Sequence, residues 1–225
     1  MLKELPQKFS IDPIIDQVSK LEFTKRLTLN QPTGSFFNDP WETLSKFKGT
    51  PLGNVLDSLS PIGQARLLTL ESAESYTAHT DPDDRLHLAI ITNEYSFLVD
   101  MLFGNLYHVP ADGTVHLMDT SRAHVAANWG GRPRIHLNIR VLLPHYTPSK
   151  PGLKFKVNSG DFDWKQISYI EIMGKINYYI KTGIVTGFKA VSEKELIINC
   201  DSPDLFQDMV DKILKQGVDI EFTPI

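Results

Sequence analysis

Residues 76–93 read YTAHTDPDDRLHLAIITN, and this stretch decides how the rest of the chain is interpreted. In an extended strand residues i and i+2 share a face, so the His79 imidazole and the Asp81 carboxylate reach one common point. Read alone, the triplet is also a turn entering Pro82-Asp83-Asp84. From Arg85 to Asn93 the pattern alternates, with Leu86, Leu88 and Ile90 on one face and Arg85, His87, Ala89 and Ile91 on the other. A guanidinium in such an apolar strand needs an anionic partner, because burying an unpaired cation costs several kcal/mol.

Working outward, Ala65-Arg66-Leu67-Leu68-Thr69-Leu70 reads as a strand leading through Glu71–Ser75 into Tyr76. Ser96 to Met101, Asn105 to Val109 and Thr114 to Leu117 are short segments divided by Gly104 and by Pro110-Ala111-Asp112-Gly113. Asp119-Thr120-Ser121 introduces His124. After the turn Gly130-Gly131-Arg132-Pro133, Arg134, His136, Asn138 and Arg140 alternate with Ile135, Leu137, Ile139 and Val141. Short strands at this cadence predict a mainly β protein with flanking helices, built on an antiparallel jelly roll or cupin-like barrel over about residues 64–145. In a closed barrel the polar side of the last strand faces the interior.

A third ligand from a distant strand completes a metal site with His79 and Asp81. Two imidazoles and one carboxylate on one face of an octahedron leave the opposite face open and suit non-haem Fe(II). Residues 64–143 resemble the double-stranded β-helix of 2-oxoglutarate-dependent oxygenases, specifically the aspartyl/asparaginyl β-hydroxylase-like group that includes free-proline hydroxylases. The resemblance is carried by Tyr76-x-x-His79-x-Asp81, Arg85-Leu86-His87-Leu88 to Thr92-Asn93, Ser121-x-x-His124-x-x-x-Asn128 and Arg134-Ile135-His136-Leu137.

The resemblance implies that His79, Asp81 and His124 hold Fe(II). It also implies that Arg134, ten residues after the distal histidine, anchors the far carboxylate of 2-oxoglutarate, a task for which a guanidinium supplies two parallel hydrogen bonds. Arg85 and His87 match an Arg-x-His pair placed near the metal-bound end of the cosubstrate, with support of a buried carboxylate such as Asp81 or Asp100 as the other reading. Arg132 reads as solvent-facing, and Arg140 stands too far along the strand to share Arg134's carboxylate. Tyr76 and Asn128 either orient a ligand or satisfy a turn. His108 and His145 read as surface residues, His116 as a core histidine, and His136 as a lining residue of the substrate cavity. The animal β-hydroxylases of this group lack the carboxylate ligand whereas Asp81 is present here, which favours a small-molecule substrate such as a free amino acid while leaving a peptide open.

Elsewhere the chain carries fewer signals. Its 225 residues suffice for one core plus an appendage, and a net charge of −4 with both signs dispersed gives no nucleic-acid footprint. No apolar run is long enough to span a membrane, Met1 to Lys8 lacks an apolar leader, and the single Cys200 excludes an internal disulfide, so a cytoplasmic setting is expected. Asp12-Pro13 reads as a helix N-cap and first residue, followed by Ile14, Ile15, Val18 and Leu21 on one face. Asn30 to Ser60 reads as a long irregular connection of the kind that covers a site, whose Phe36, Phe37 and Trp41 either pack this layer onto the barrel or line a substrate pocket. The expected division is 1–149 for the oxygenase and 150–225 for a small α+β appendage. The appendage would hold a helix within Asp163–Lys181, a strand at Lys194–Asn199, a helix opened by Ser202-Pro203-Asp204 and a last strand at Val218–Phe222. An exposed stripe of Leu205, Phe206, Met209, Val210, Ile213 and Leu214 would predict a homodimer.

The expected activity is hydroxylation of an unactivated C–H bond in a small-molecule substrate, a proline-like amino acid or an aspartyl or asparaginyl side chain. A cupin-type metalloenzyme that uses no 2-oxo acid and a non-catalytic ligand-binding jelly roll are the alternatives.

Overall fold

The computed structural model describes residues 1–157, 167–192, 195–202, 204, 211 and 220–225. The order begins β1 (Leu2–Lys8), α1 (Asp12–Ser19), β2 (Arg26–Thr28), β3 (Asn30–Pro32), β4 (Trp41–Thr43) and α2 (Pro51–Leu59). Eight strands follow: β5 (Ala65–Leu70), β6 (Glu74–Ser75), β7 (Arg85–Ile91), β8 (Ser96–Asp100), β9 (Asn105–Tyr107), β10 (Thr114–Met118), β11 (His124–Asn128) and β12 (Arg134–Arg140). The C-terminal part contributes β13 (Gly152–Val157), α3 (Ile167–Lys181), β14 (Val185–Ser192), β15 (Glu195–Cys200) and β16 (Ile220–Pro224). The fold is thus mainly β with flanking helices.

Two antiparallel sheets enclose the site, one of six strands ordered β1-β10-β7-β12-β5-β2 and one of four ordered β6-β11-β8-β9. Their pairing is nested along the chain: β8 with β9, β7 with β10, β6 with β11 and β5 with β12. Strand alternation then sorts the six-stranded sheet into two faces. Ala65, Leu67, Leu86, Leu88, Ile90, Leu137 and Ile139 join Ile14, Val18, Leu52, Val55 and Leu56 of α1 and α2 in one core. The opposite face presents Arg66, Arg85, His87, Arg134, His136 and Asn138 to the space between the sheets, where Leu70, Ala89 and Met118 meet Leu98 and Ala126 of the smaller sheet. Each fully buried leucine of the outer core contributes roughly 1.5–3 kcal/mol, which offsets the polar load of the inner face.

The N-terminal region departs from expectation in three places. Met1 to Lys8, read as polar, includes β1, which pairs with β10 at the sheet edge; an edge strand with a solvated face needs few apolar residues. Helix α1 starts at Asp12, with Ile11 as its cap and no side-chain cap bond, so Asp12 is the first helical residue and not the N-cap. The stretch from Asn30 to Ser60 is not irregular throughout. It holds α2, whose Thr50 side chain accepts a hydrogen bond from the Gly53 N–H, with a proline in the first turn. Thr50-Pro51 is a helix start that resembles turn chemistry when preceded by Gly49.

In the C-terminal part, four antiparallel strands ordered β14-β15-β13-β16 pack against α3 through Leu153, Phe155, Ile172, Met173, Ile176, Val185, Phe188, Leu196 and Ile198. Helix α3 and β15 fall where a helix and a strand were expected. The helix expected after Ser202, with its apolar stripe, lies outside the described residues, as does Val218. No described helix is long and apolar enough to cross a membrane.

Candidate metal centre

His79 and Asp81 sit at the mouth of the sandwich, where the segment following β6 bridges the start of β11. His79 and His124 exchange both backbone hydrogen bonds, 3.0 and 2.9 Å, which places the two imidazoles side by side with ring centroids 4.5 Å apart. Each ring Nδ1 lies within hydrogen-bond distance of a backbone carbonyl two residues earlier, Thr77 O at 2.8 Å and Arg122 O at 2.9 Å. A carbonyl only accepts, so Nδ1 carries the proton and the Nε2 lone pair of both rings is free. Both Nε2 atoms stand 3.8 Å from Asp81 Oδ2. That gap is too long for a hydrogen bond, and an ion making bonds of about 2.0–2.2 Å spans it. His79, Asp81 and His124 together offer three ligand atoms within 4.8 Å of one another and could hold a metal ion.

The electrostatics favour ligands in their metal-binding forms. Burial opposes ionisation of Asp81, but the Arg85 guanidinium and the two imidazoles outweigh it and hold the carboxyl well below its usual range. Burial, with His79 alongside, pulls His124 down to about 4, so the ring is neutral near pH 7. Arg85 donates from Nη2 to Asp81 Oδ1 at 2.7 Å and from Nε to Oδ2 at 3.2 Å. A second carboxylate, the fully buried Asp83, lies 3.4 Å from Arg85 and receives two bonds from Arg140, 2.7 and 2.6 Å. Of the two readings of Arg85, the direct contact present is therefore the supporting one, to Asp81 and not to Asp100. Asp100 is instead held by Arg122 and by the backbone N–H groups of Leu102 and Phe103.

Behind the ligands lies a cavity of about 550 Å³ between the two sheets. Its size is that of a small-molecule site. Arg134 is buried there at 2 % exposure, and its Nη2 donates to His136 Nδ1 at 2.8 Å. Among the described residues no carboxylate lies within 4 Å of it, and burial draws the guanidinium down to about 10, with Tyr76 acting in the opposite sense. His87 Nε2 lies 3.2 Å from the Asn138 amide nitrogen, so it accepts and Nδ1 carries the proton. Burial first, then Arg134, holds both His87 and His136 well below the ordinary imidazole range and neutral. Among the described residues five buried nitrogens of cavity side chains have no partner: Arg66 Nε, Arg85 Nη1, His87 Nδ1, Arg134 Nε and His136 Nε2. With those tautomers all five are donors, so the space they surround is shaped for a ligand rich in acceptor oxygens.

Other candidates are placed as follows. Tyr76 and His136 line the cavity, His116 is buried outside it, and Arg132, His108 and His145 face solvent. Asn128 satisfies a turn: its Nδ2 donates to Leu70 O, Glu71 O and Arg132 O, and its Oδ1 accepts from Asn93, Ser96 and Gly130. Phe36 and Phe37 stack under the Arg140 guanidinium, 4.7 and 4.3 Å away, and Phe36 packs on Trp41, so these rings pack the layer and do not line the cavity.

Two contributors had no sequence signal. Asn177 of α3 donates from Nδ2 to Asp81 O at 3.0 Å, Thr120 Oγ1 at 3.1 Å and Asp84 Oδ1 at 3.3 Å. One turn earlier, a Cβ on Gly174 would stand 2.3 Å from Ser121 O, so only glycine lets the helix approach the loops on which the metal ligands sit. The other contributor is Arg66, discussed below.

The two sheets thus bring two imidazoles and a carboxylate together above a donor-lined cavity, a group that could hold a metal ion. Residues 50–144 match the family model described as aspartyl/asparaginyl beta-hydroxylase. No curated protein matches the chain.

Proposed function

We propose that the protein is an Fe(II)- and 2-oxoglutarate-dependent dioxygenase that hydroxylates an unactivated C–H bond of a small molecule. The nested pairing of β5–β8 with β9–β12 supports reading the two sheets as a double-stranded β-helix. The single observation that carries the reading is a buried guanidinium, Arg134, with no carboxylate within reach among the described residues. It stands in the same cavity as a possible metal site and four further unpaired donors.

His79, Asp81 and His124 would hold the iron, and the donor set of two neutral imidazoles and one carboxylate fits Fe(II). When bound, iron with 2-oxoglutarate supplies the oxidising power for the overall reaction, in which substrate, dioxygen and 2-oxoglutarate give hydroxylated product, succinate and carbon dioxide. The remaining work falls to the chain. Arg85 keeps Asp81 ionised through bonds to both carboxylate oxygens, the shorter to Oδ1, while Oδ2 also faces the two imidazoles. The Nδ1 bonds of His79 and His124 fix ring orientation. Arg134 receives the far carboxylate of the cosubstrate, and the N–H groups of His87 and His136 supply neutral donors to its oxygens. Leu68, Leu98, Met118 and Ala126 give the cavity apolar walls that limit water.

The test is a succinate-release assay with Fe(II), 2-oxoglutarate and dioxygen over free amino acids, proline first, and then Asp- and Asn-containing peptides. Succinate formed with at least one of them and abolished by Arg134→Ala is the expected result. Turnover that persists in Arg134→Ala would favour a metalloenzyme that needs no 2-oxo acid. No stoichiometric transition metal and no succinate with any of them would leave a ligand-binding protein.

A further inference from the structure

The cavity holds more positive charge than one dicarboxylate neutralises. Lys25, Arg26, Arg66, Arg85 and Arg134 all line it, against the single carboxylate of Asp81. Lys25 pairs with Glu74, and Arg85 with Asp81 and Asp83. Arg26, Arg66 and Arg134 have no carboxylate within 4 Å among the described residues. Arg134 is assigned to the cosubstrate above, so a second unneutralised cationic pole remains on β5 and β2.

Arg66 is the centre of that pole. On β5 it lies opposite Asn138 of β12 and Thr28 of β2. Asn138 is four residues beyond Arg134, so the two arginines are roughly 13 Å apart along the sheet at strand rise. Its cross-strand partner Asn138 lies opposite His87, two residues from the Arg85 that binds Asp81, which puts Arg66 at the metal end of the cavity. Burial, with Arg85 and Arg140 alongside, pulls it down to about 10, the mark of a cation held among like charges without a counter-ion. Its Nε is buried without a partner. A cosubstrate that runs from Arg134 to the metal leaves this second guanidinium unused.

We propose that Arg66, flanked by Arg26, is a specificity-determining residue that binds a carboxylate of the substrate, so that the substrates of this protein are carboxylic acids oriented by that group next to the metal. This inference rests on the dioxygenase reading. Two sources share the chemistry: the free α-carboxylate of an amino acid, and the side-chain carboxylate of an aspartyl residue in a peptide.

The experiment uses the full-length protein loaded with redox-silent Mn(II), and has two stages read by isothermal titration. In the first, 2-oxoglutarate is titrated into wild type, Arg66→Met, Arg66→Lys and Arg134→Met. In the second, the complex with 2-oxoglutarate receives the free L-amino acids, their α-amides, end-blocked Asp and Asn peptides, and acetate, malonate and succinate. Wild type and Arg66→Met should bind 2-oxoglutarate within about twofold of each other while Arg134→Met loses binding. A carboxylate-bearing probe should bind the wild-type complex and weaken about tenfold or more in Arg66→Met, with a smaller loss in Arg66→Lys, which keeps the charge but not the paired donors. Binding by free acids but not α-amides identifies the α-carboxylate as the group held; binding by blocked Asp but not blocked Asn peptides identifies the side chain. Because Arg66→Met removes a part-buried cation that has no carboxylate partner among the described residues and opens no large void, its ligand-free melting temperature should equal or exceed that of wild type, which separates lost binding from lost folding. The proposal is overturned if Arg66→Met loses 2-oxoglutarate, if α-amides without a side-chain carboxylate and blocked Asn peptides bind as tightly as the matching free acids and blocked Asp peptides, or if no carboxylate in the panel binds the wild-type complex. Failure of wild type itself to bind 2-oxoglutarate instead overturns the dioxygenase reading on which the proposal stands.

Discussion

Replacing Asn177 by alanine tests whether the C-terminal part braces the metal centre. The amide nitrogen serves three acceptors. Two of them keep other partners: Thr120 Oγ1 still donates to Asp83 O, and Asp84 Oδ1 still accepts from Thr120 N and Lys181. The main loss is the bond to the Asp81 carbonyl, at a position 2 % exposed where water cannot readily substitute. One lost hydrogen bond plus a buried acceptor left short costs about 2–3 kcal/mol. For a chain of this length that is a fall in melting temperature of roughly 4–12 °C. Because the freed carbonyl belongs to the candidate metal ligand Asp81, Mn(II) affinity should fall as well, by about tenfold, as for other groups that orient ligands. Urea denaturation and Mn(II) titration followed by the electron paramagnetic resonance of free ion measure the two effects separately. Thr182→Ala, at the solvated end of α3, is the control and should leave Mn(II) affinity unchanged. Asn177→Ala protein that folds, loses stability and binds Mn(II) within twofold of wild type would refute the bracing. An unchanged melting temperature would refute the hydrogen-bond network itself.

Arg134→Met should raise ligand-free stability or leave it level while removing 2-oxoglutarate binding, since it replaces an unpaired buried charge; parallel thermal melts and titrations check this, and a loss of several degrees would contradict it. Arg85→Met strips the part-buried Asp81 of its counter-ion and should destabilise the metal-free protein by roughly 2–4 kcal/mol, with saturating Mn(II) recovering much of the loss because the ion takes over the charge. Equal losses with and without Mn(II), measured by denaturation, would count against that account. Burial acts to raise Asp119, but the Lys181 ammonium and the Ser121 hydroxyl outweigh it and bring it to about 2, below its ordinary 3.8. The stability this pair contributes is therefore fully present above about pH 4 and is lost as pH falls towards 2; Lys181→Met should flatten that part of a stability-against-pH curve.

The metal-ligand candidates were legible because strand alternation fixes the direction of His79 relative to Asp81, and the spacing to His124 and Arg134 reproduces a known arrangement. The alternation of Arg134 to Asn138 and of Arg85 to Ile90 separated the cavity face from the outer core, but Ile91, read on the Arg85 face, packs against the outer core beyond the register shift at Ile135/His136. What stayed hidden depends on residues distant in the chain. Asp83 meets Arg140 across 57 positions, and Asn177 meets Asp81 across 96. No local pattern encodes either pairing. The sequence marks Arg66 only as part of a strand, and the sheet order reveals that its side faces the cavity. Helix α2 was missed although its cap is explicit, because Gly49-Thr50-Pro51 satisfies the rules for a turn as well as those for a helix start. The edge strand β1 was missed because pairing to β10 through its backbone asks little of its side chains.

The most direct measurement is an anaerobic titration of the purified protein with Fe(II) and 2-oxoglutarate, followed in the visible range. The account predicts the weak charge-transfer band of an iron-bound 2-oxo acid in wild type, saturating at one equivalent of each, and absent when His79, Asp81 or His124 is replaced by alanine. A well-folded wild-type sample that gives no such band at saturating Fe(II) and 2-oxoglutarate would contradict it.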